Sequence, residues 1–197
     1  MRIGVIAVQG DVSEHIGAFK KTLEEYKIKG DVIPIRRPGL ISGCDLISIP
    51  GGESTTIGRL LRREGVDAEI KSHAKAGKPI FATCAGLILL SKNVGDDRVC
   101  SLGLMDAWVE RNAFGRQSDS FQVPLEVKGV DGPFEAVFIR APAITKVDDA
   151  VEVLARYDKY IVAARQGRLY AFAFHPELTQ DNRIHRMILS EELYGSI

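Results

Sequence analysis

The chain carries no excess charge of either sign: 26 Lys and Arg residues balance 26 Asp and Glu residues. That balance removes any global attraction for nucleic-acid phosphates or an anionic membrane surface. Cysteine is scarce, and Cys44, Cys84 and Cys100 form an odd set with no close pair. That spacing indicates neither a disulfide framework nor a zinc knuckle, and at least one thiol is left free. No uncharged apolar run approaches the roughly 20 residues that a membrane-spanning helix needs. The apolar stretch within residues 1–10 is too brief for a secretory signal, so a cytoplasmic setting is expected. Neither Gly-Lys-Ser/Thr nor Gly-x-Gly-x-x-Gly occurs, which disfavours a nucleotide role. No sequence cluster has metal-ligand spacing, so neither metal nor cofactor is expected. What remains is an ordinary globular composition, 45% hydrophobic and 26% charged, with no repeat or long linker. A compact chain of this length buries about 70% of its unfolded surface and needs no covalent staple. One domain over residues 1–197 is expected.

Local patterns alternate between strand and helix in the first half. Strands are expected at Ile3–Val8, Asp31–Ile35, Asp45–Ile49 and Lys78–Thr83, the first ended by Gly10 and the third stopped by Pro50-Gly51-Gly52. Helical spacing links Ile16, Phe19, Leu23 and Tyr26, with Asp11 or Ser13 as cap, and recurs at 55–63, 66–76 and 85–92. Such alternation implies right-handed crossovers and a parallel sheet with helices on both faces. Strand candidates in the second half are Phe121–Val127, Ala136–Ile139, Val151–Tyr157, Tyr160–Ala164 and Leu169–Phe174, with hairpin turns at Asp158-Lys159 and Gln166-Gly167. A helix over about 180–193 closes the chain. The expected architecture is a three-layer α/β/α domain with a mixed, mainly parallel sheet, extended by antiparallel strands.

Two strand ends carry the chemistry. Cys84 sits where a buried strand turns into a helix, at the sheet edge where α/β ligand sites form, flanked by small Ala82, Ala85 and Gly86. A thiol at a helix start is biased toward thiolate, although a free cysteine is just as often a small buried hydrophobe. His175-Pro176-Glu177 follows a second apolar strand, and extended geometry would place the imidazole and the carboxylate on one side. Together these sites suggest a Cys-His-Glu triad. Pro50-Gly51-Gly52-Glu53-Ser54-Thr55 could offer backbone N–H groups to an oxyanion, or could be a plain strand–helix turn capped by Ser54 or Thr55. Residues 109–117 and Ile139-Arg140 present arginines that could fork onto a carboxylate or simply be solvated. His15, His73 and His185 lie in helical patterns and read as structural, as do Cys44 and Cys100.

The segments Gly51–Thr56, Thr83–Leu87, Val109–Gln117, Phe138–Pro142, Ala163–Gly167 and Phe174–Thr179, with Gly4–Gly10 and Glu14-His15, closely resemble the glutaminase subunit of pyridoxal 5′-phosphate synthase. That family is part of the triad-type (class I) glutamine amidotransferases, of flavodoxin-like fold. The resemblance implies hydrolysis of L-glutamine to glutamate and ammonia through a glutamyl thioester. Ammonia would pass to a TIM-barrel synthase subunit in a large hetero-oligomer, which combines it with ribose 5-phosphate and glyceraldehyde 3-phosphate. By motif match, Cys84 is the nucleophile, His175 the acid–base and Glu177 its orienter. Gly52, Glu53, Ser54, Arg111, Ile139 and Arg140 match glutamine-binding positions; Gly51 and Gly52 match the oxyanion loop, and Gln9 a residue coupling the site to the synthase. One departure is Ala82, where the broader Gly-x-Cys-x-Gly elbow has glycine. A glutaminase for another synthase, a related cysteine peptidase and a redox scaffold are the competing readings.

Overall fold

A computed structural model describes residues 1–115 and 120–194. The first half runs β1 (Arg2–Ile6), α1 (Val12–Glu25), β2 (Asp31–Ile35), β3 (Leu46–Ile49), α2 (Ser54–Glu64), α3 (Val66–Lys75), β4 (Ile80–Thr83) and α4 (Ala85–Leu90). The second half adds β5 (Ser91–Asn93), β6 (Met105–Glu110), β7 (Ser120–Leu125), β8 (Phe134–Ile139), β9 (Ala143–Val147), β10 (Glu152–Tyr157), β11 (Tyr160–Gln166), β12 (Leu169–Phe172) and α5 (Arg183–Tyr194). The main sheet has the order β2-β1-β3-β4-β12-β11-β9-β6-β5, with β10 also paired to β11. From β2 to β12 every pairing is parallel, whereas β11 and β9 join antiparallel. Fully buried strands such as Leu46–Ile49 and Ile80–Thr83 read as continuous apolar runs because helices cover both faces. Pro34 is tolerated in β2 because β2 is an edge strand.

The helices pack α1 with α5 on one side and α2 with α3 and α4 on the other. Between α1, the sheet and α5, the ring of Phe81 meets Phe19 edge-on at 5.6 Å and Phe172 at 5.5 Å. Burying a ring of this size contributes about 1.5–3 kcal/mol. The parallel register aligns Ile49 with Ala82 and Thr83 with Phe172. The C-terminal ends of β1, β3, β4 and β12 therefore meet at one sheet edge, and the loops leaving them carry Gln9, Gly51–Glu53, Cys84 and His175.

Several expectations need correction. The Phe121–Val127 and Ala136–Ile139 strands do not extend the main sheet; β7 and β8 pair only with each other as a ribbon, with Phe121 stacked on Phe138 at 4.6 Å. Pro124 lies within that ribbon, where no further strand needs its missing N–H. The helix expected over 85–92 stops at Leu90, and Ser91–Asn93 leaves as β5. Strands β6 and β9 were not expected: Met105–Glu110 alternates buried and half-buried residues across Trp108, and only part of it falls in the 109–117 segment singled out for its arginines. The first strand ends at Ile6 rather than Val8, and the last helix starts at Arg183 rather than near 180. Asp11 precedes α1 but makes no side-chain cap, nor does Ser13, whose hydroxyl turns to Glu14.

Candidate active site

Cys84 occupies a backbone conformation, φ 48° and ψ −103°, that side chains rarely adopt. Holding such a residue costs on the order of 1–3 kcal/mol and persists only where the surroundings enforce it. Here the Cys84 N–H donates to Phe172 O at 2.8 Å and its carbonyl accepts from Ile88 at 3.2 Å, so strand and helix grip both sides of the turn. Gly86 lets the chain pass: a Cβ there would lie 2.2 Å from Ile49 O and 3.2 Å from the Ala82 methyl. The alanine at position 82 is accommodated because residue 86 is glycine. The thiol is buried and leans toward Ile139 O at 4.0 Å.

His175 leaves β12 through Ala173 and Phe174, and its N–H is held by Val137 O at 2.8 Å. Pro176-Glu177-Leu178 then forms a single 3₁₀ turn, which brings the Glu177 carboxylate back under the ring. The Nδ1–H of His175 donates to Glu177 Oε1 at 2.7 Å. Nε2 is buried with no hydrogen-bond partner among the described residues, which leaves it as the ring atom able to exchange a proton with the Cys84 sulfur. Burial alone would lower the imidazole's pKa. Its interactions with Cys84 and with ionised Glu177 outweigh that and raise it to about 10. Burial pushes the Glu177 carboxyl in the opposite direction, yet the imidazoles of His15 and His175 hold it well below the usual carboxylate range. A fixed tautomer with a carboxylate behind it is what an acid–base histidine needs.

Against known proteins, the model of the SNO glutamine amidotransferase family matches residues 5–193. The chain belongs to the SNO glutamine amidotransferase family. Relatives named pyridoxal 5'-phosphate synthase subunit PdxT are 55% identical in Archaeoglobus fulgidus, over 96% of this chain and 97% of that one. The counterpart in Halorubrum lacusprofundi is 53% identical over 98% of both chains. A crystal structure of a glutamine amidotransferase superposes with a TM-score of 0.87 at 44% identity, covering 96% of this chain and 98% of that one.

The glycine loop of this amidotransferase interlocks with the Gln9–Asp11 loop. Gly51 O accepts from the Asp11 N–H at 3.2 Å, and the Glu53 N–H donates to Gln9 Oε1 at 3.0 Å. A Cβ on Gly51 would meet His175 Cε1 at 2.6 Å and Asp11 Oδ2 at 2.7 Å, so only glycine lets the loop lie against the imidazole. Glu53, not Ser54 or Thr55, caps α2: its carboxylate accepts from Thr55 N at 3.0 Å and Thr56 N at 2.7 Å. Those bonds overcome desolvation and lower its pKa to about 2. Ser54 begins the helix, buried, with its hydroxyl unpartnered. Arg111 follows β6 and donates to Asp96 at 2.5 Å and to Glu53 at 3.4 Å. Ile139 ends β8 beside Cys84 and is 37% exposed, and Arg140 follows it at φ 42°. Arg116 and Gln117 of the 109–117 motif lie outside the described residues.

Sequence reasoning missed three contributors. Asp96, on a loop after β5, sets the orientation of Arg111. Asp11 turns its carboxylate to within 3.8 Å of His175 Nδ1 instead of capping α1. His15, read as structural, is wholly buried with Nε2 3.1 Å from Glu177 Oε1; Glu14-His15 within the resemblance was the one available signal. Among the described residues, Asp11, His175 and Glu177 are the grouping whose donor atoms converge within 4.8 Å as a metal site would require. The 2.7 Å bond between His175 and Glu177 already commits the atoms that would bind an ion. The arrangement is that of a hydrogen-bonded acid–base pair.

Proposed function

We propose that this chain hydrolyses L-glutamine through Cys84, His175 and Glu177 and delivers the ammonia to a pyridoxal 5'-phosphate synthase subunit. The observation that carries the reading is the strained Cys84 turn beside an imidazole whose far nitrogen is fixed by a buried carboxylate. The Cys84 thiolate adds to the side-chain amide carbon of glutamine, and backbone N–H groups of the Gly51–Gly52 loop support the oxyanion. His175, as imidazolium, gives its Nε2 proton to the departing nitrogen, releasing ammonia and a glutamyl thioester. The imidazole then takes a proton from water, hydroxide adds to the thioester, and glutamate leaves as the thiolate is restored. Arg111 and Glu53, lying within 3.4 Å of each other, suit the α-carboxylate and α-ammonium of the substrate, with Ile139, Arg140 and Ser54 lining the approach.

The synthase subunit matters because free ammonia becomes unreactive ammonium in neutral water. A TIM-barrel partner, a large hetero-oligomer and a cytoplasmic location are parts of the same proposal. Among the described residues the Gly51 carbonyl is engaged by a long 3.2 Å bond from Asp11, and Gln9 already holds Glu53 from the neighbouring loop. Docking beside Gln9 would therefore turn the Gly51–Gly52 peptide and complete the oxyanion site, worth about 10²–10³ in rate. Glutamate release is measured for the chain alone and with saturating synthase subunit. A large rise that is lost in Gln9→Ala supports the coupling; equal rates with and without the synthase reject it.

A further inference from the structure

The Glu177 carboxylate is buried completely, and its Oε2 has no partner among the described residues, so the contacts that stabilise its charge are made through Oε1. His175 Nδ1 donates to that oxygen at 2.7 Å and Thr83 Oγ1 at 3.4 Å, while His15 Nε2 lies 3.1 Å from it and hydrogen-bonds Thr83 Oγ1 at 3.0 Å. The Thr83 bond is long, so among the described residues His15, in contact with both Glu177 Oε1 and Thr83 Oγ1, is the close support of the carboxylate that is not itself part of the triad. His15 reaches Glu177 from the first turn of α1, and its ring is fixed from behind by Ser48 Oγ on β3, 2.9 Å from Nδ1. A carboxylate oxygen only accepts, so Nε2 carries the hydrogen and the Ser48 hydroxyl donates to Nδ1. His15, Ser48 and Thr83 are all fully buried, so water does not replace any of them.

We propose that His15 is a positioning residue for the amidotransferase reaction: it keeps Glu177 ionised and oriented, so that the shared proton stays on His175. An unpaired buried carboxylate would otherwise draw that proton to itself, because low-dielectric surroundings penalise the charge-separated pair. The neighbouring titratable groups offer no substitute. Asp11 lies on the His175 side at 3.8 Å and is itself an acceptor. Cys84 interacts with His175, on the far side of the ring from Glu177. His185 on α5 packs on Phe19 and Phe81, has neither ring nitrogen partnered, and is held at a pKa of about 3 by burial and by His15. Beyond it, Asp181 is acidic and donates nothing.

The kinetic arm of the test rests on the glutaminase reading; the spectroscopic arm does not. His15→Leu removes the donor, His15→Gln keeps an N–H near the Nε2 position, and Ser48→Ala removes only the hydroxyl behind the ring. The ring-nitrogen resonances of His175 are recorded at pH 8 in the free chain, and glutamate release is measured in the complex with the synthase subunit. His15→Leu is expected to convert His175 from imidazolium to neutral imidazole and to lower kcat at least about tenfold with KM little changed. His15→Gln is expected to restore both, and Ser48→Ala to fall between. If His15→Leu does not fold, the same comparison is made between Ser48→Ala and wild type. Folded His15→Leu or Ser48→Ala with wild-type His175 resonances and kcat overturns the proposal. A wild-type complex that releases no glutamate overturns the glutaminase reading alone, since the resonances are read without substrate.

Discussion

Replacing Glu177 by glutamine separates charge from shape at the centre of the site. The side chains are isosteric, and His175 Nδ1–H donates to Oε1 with His15 Nε2 3.1 Å from the same atom, so the amide oxygen must take that position. Its NH₂ group then falls where Oε2 lies, a buried place with no partner. An orphaned donor of this kind costs about 1–3 kcal/mol of stability. The imidazole stays in place but loses its counter-charge. An adjacent opposite charge is worth about 1–3 pKa units, so His175 should titrate well below its wild-type position of about 10. By analogy with other triads in which the carboxylate becomes an amide, kcat should fall about 10²- to 10⁴-fold, less than on removal of the Cys84 sulfur. The assay pairs glutamate release in the synthase complex with a titration of the His175 ring resonances. Folded Glu177→Gln with an unshifted His175 titration would refute the claim that Glu177 holds the imidazole protonated.

Other perturbations probe the supports of the site. Gly86→Ala places a methyl 2.2 Å from Ile49 O; overpacking should cost about 1–3 kcal/mol, and a shift of about 1 Å at Cys84 about 10² in rate, read by thermal melts and glutamate release. Arg111→Lys keeps the charge but loses the fork between Asp96 and Glu53, so KM should rise about tenfold while kcat holds. Stability should peak near the ordinary histidine pKa of about 6.5. Below it, the unfolded chain protonates His185 while the folded chain, with that pKa at about 3, does not, so stability falls with falling pH. Loss of the depressed Glu177 carboxylate adds to this below about pH 4.3. Above about 6.5 the folded chain still binds the His175 proton and the unfolded chain does not, so stability declines toward pH 10. Thermal midpoints that are flat from pH 5 to pH 9 would contradict both limbs.

The parallel half of the fold was legible because buried strands such as Ile80–Thr83 and helices such as α2 carry their periods in short, punctuated segments. Cys84, His175 and Glu177 were legible as strand-end residues, which parallel register brings to one edge. Strands β6 and β9 were not, because their pairing is long-range: Glu110 faces Ala143, and a register shift breaks the period between Trp108 and Val109. Glu53 as a cap was hidden by Ser54 and Thr55, which are better capping types in isolation. His15 was hidden because one helical histidine among apolar neighbours has no local mark of function. Its meaning comes from Glu177, 162 positions away, reaching it through a turn after the last strand.

The proposed reaction begins with attack of the Cys84 sulfur on the side-chain amide carbon of glutamine. The direct test is covalent labelling with an electrophilic glutamine analogue, in the presence of the synthase subunit, followed by peptide mass analysis. One adduct per chain on the Cys84 peptide is expected, suppressed by excess L-glutamine and lost in Cys84→Ala and in His175→Asn, with Cys44 and Cys100 unmodified. Labelling that falls on Cys44 or Cys100, or that L-glutamine does not suppress, would contradict it.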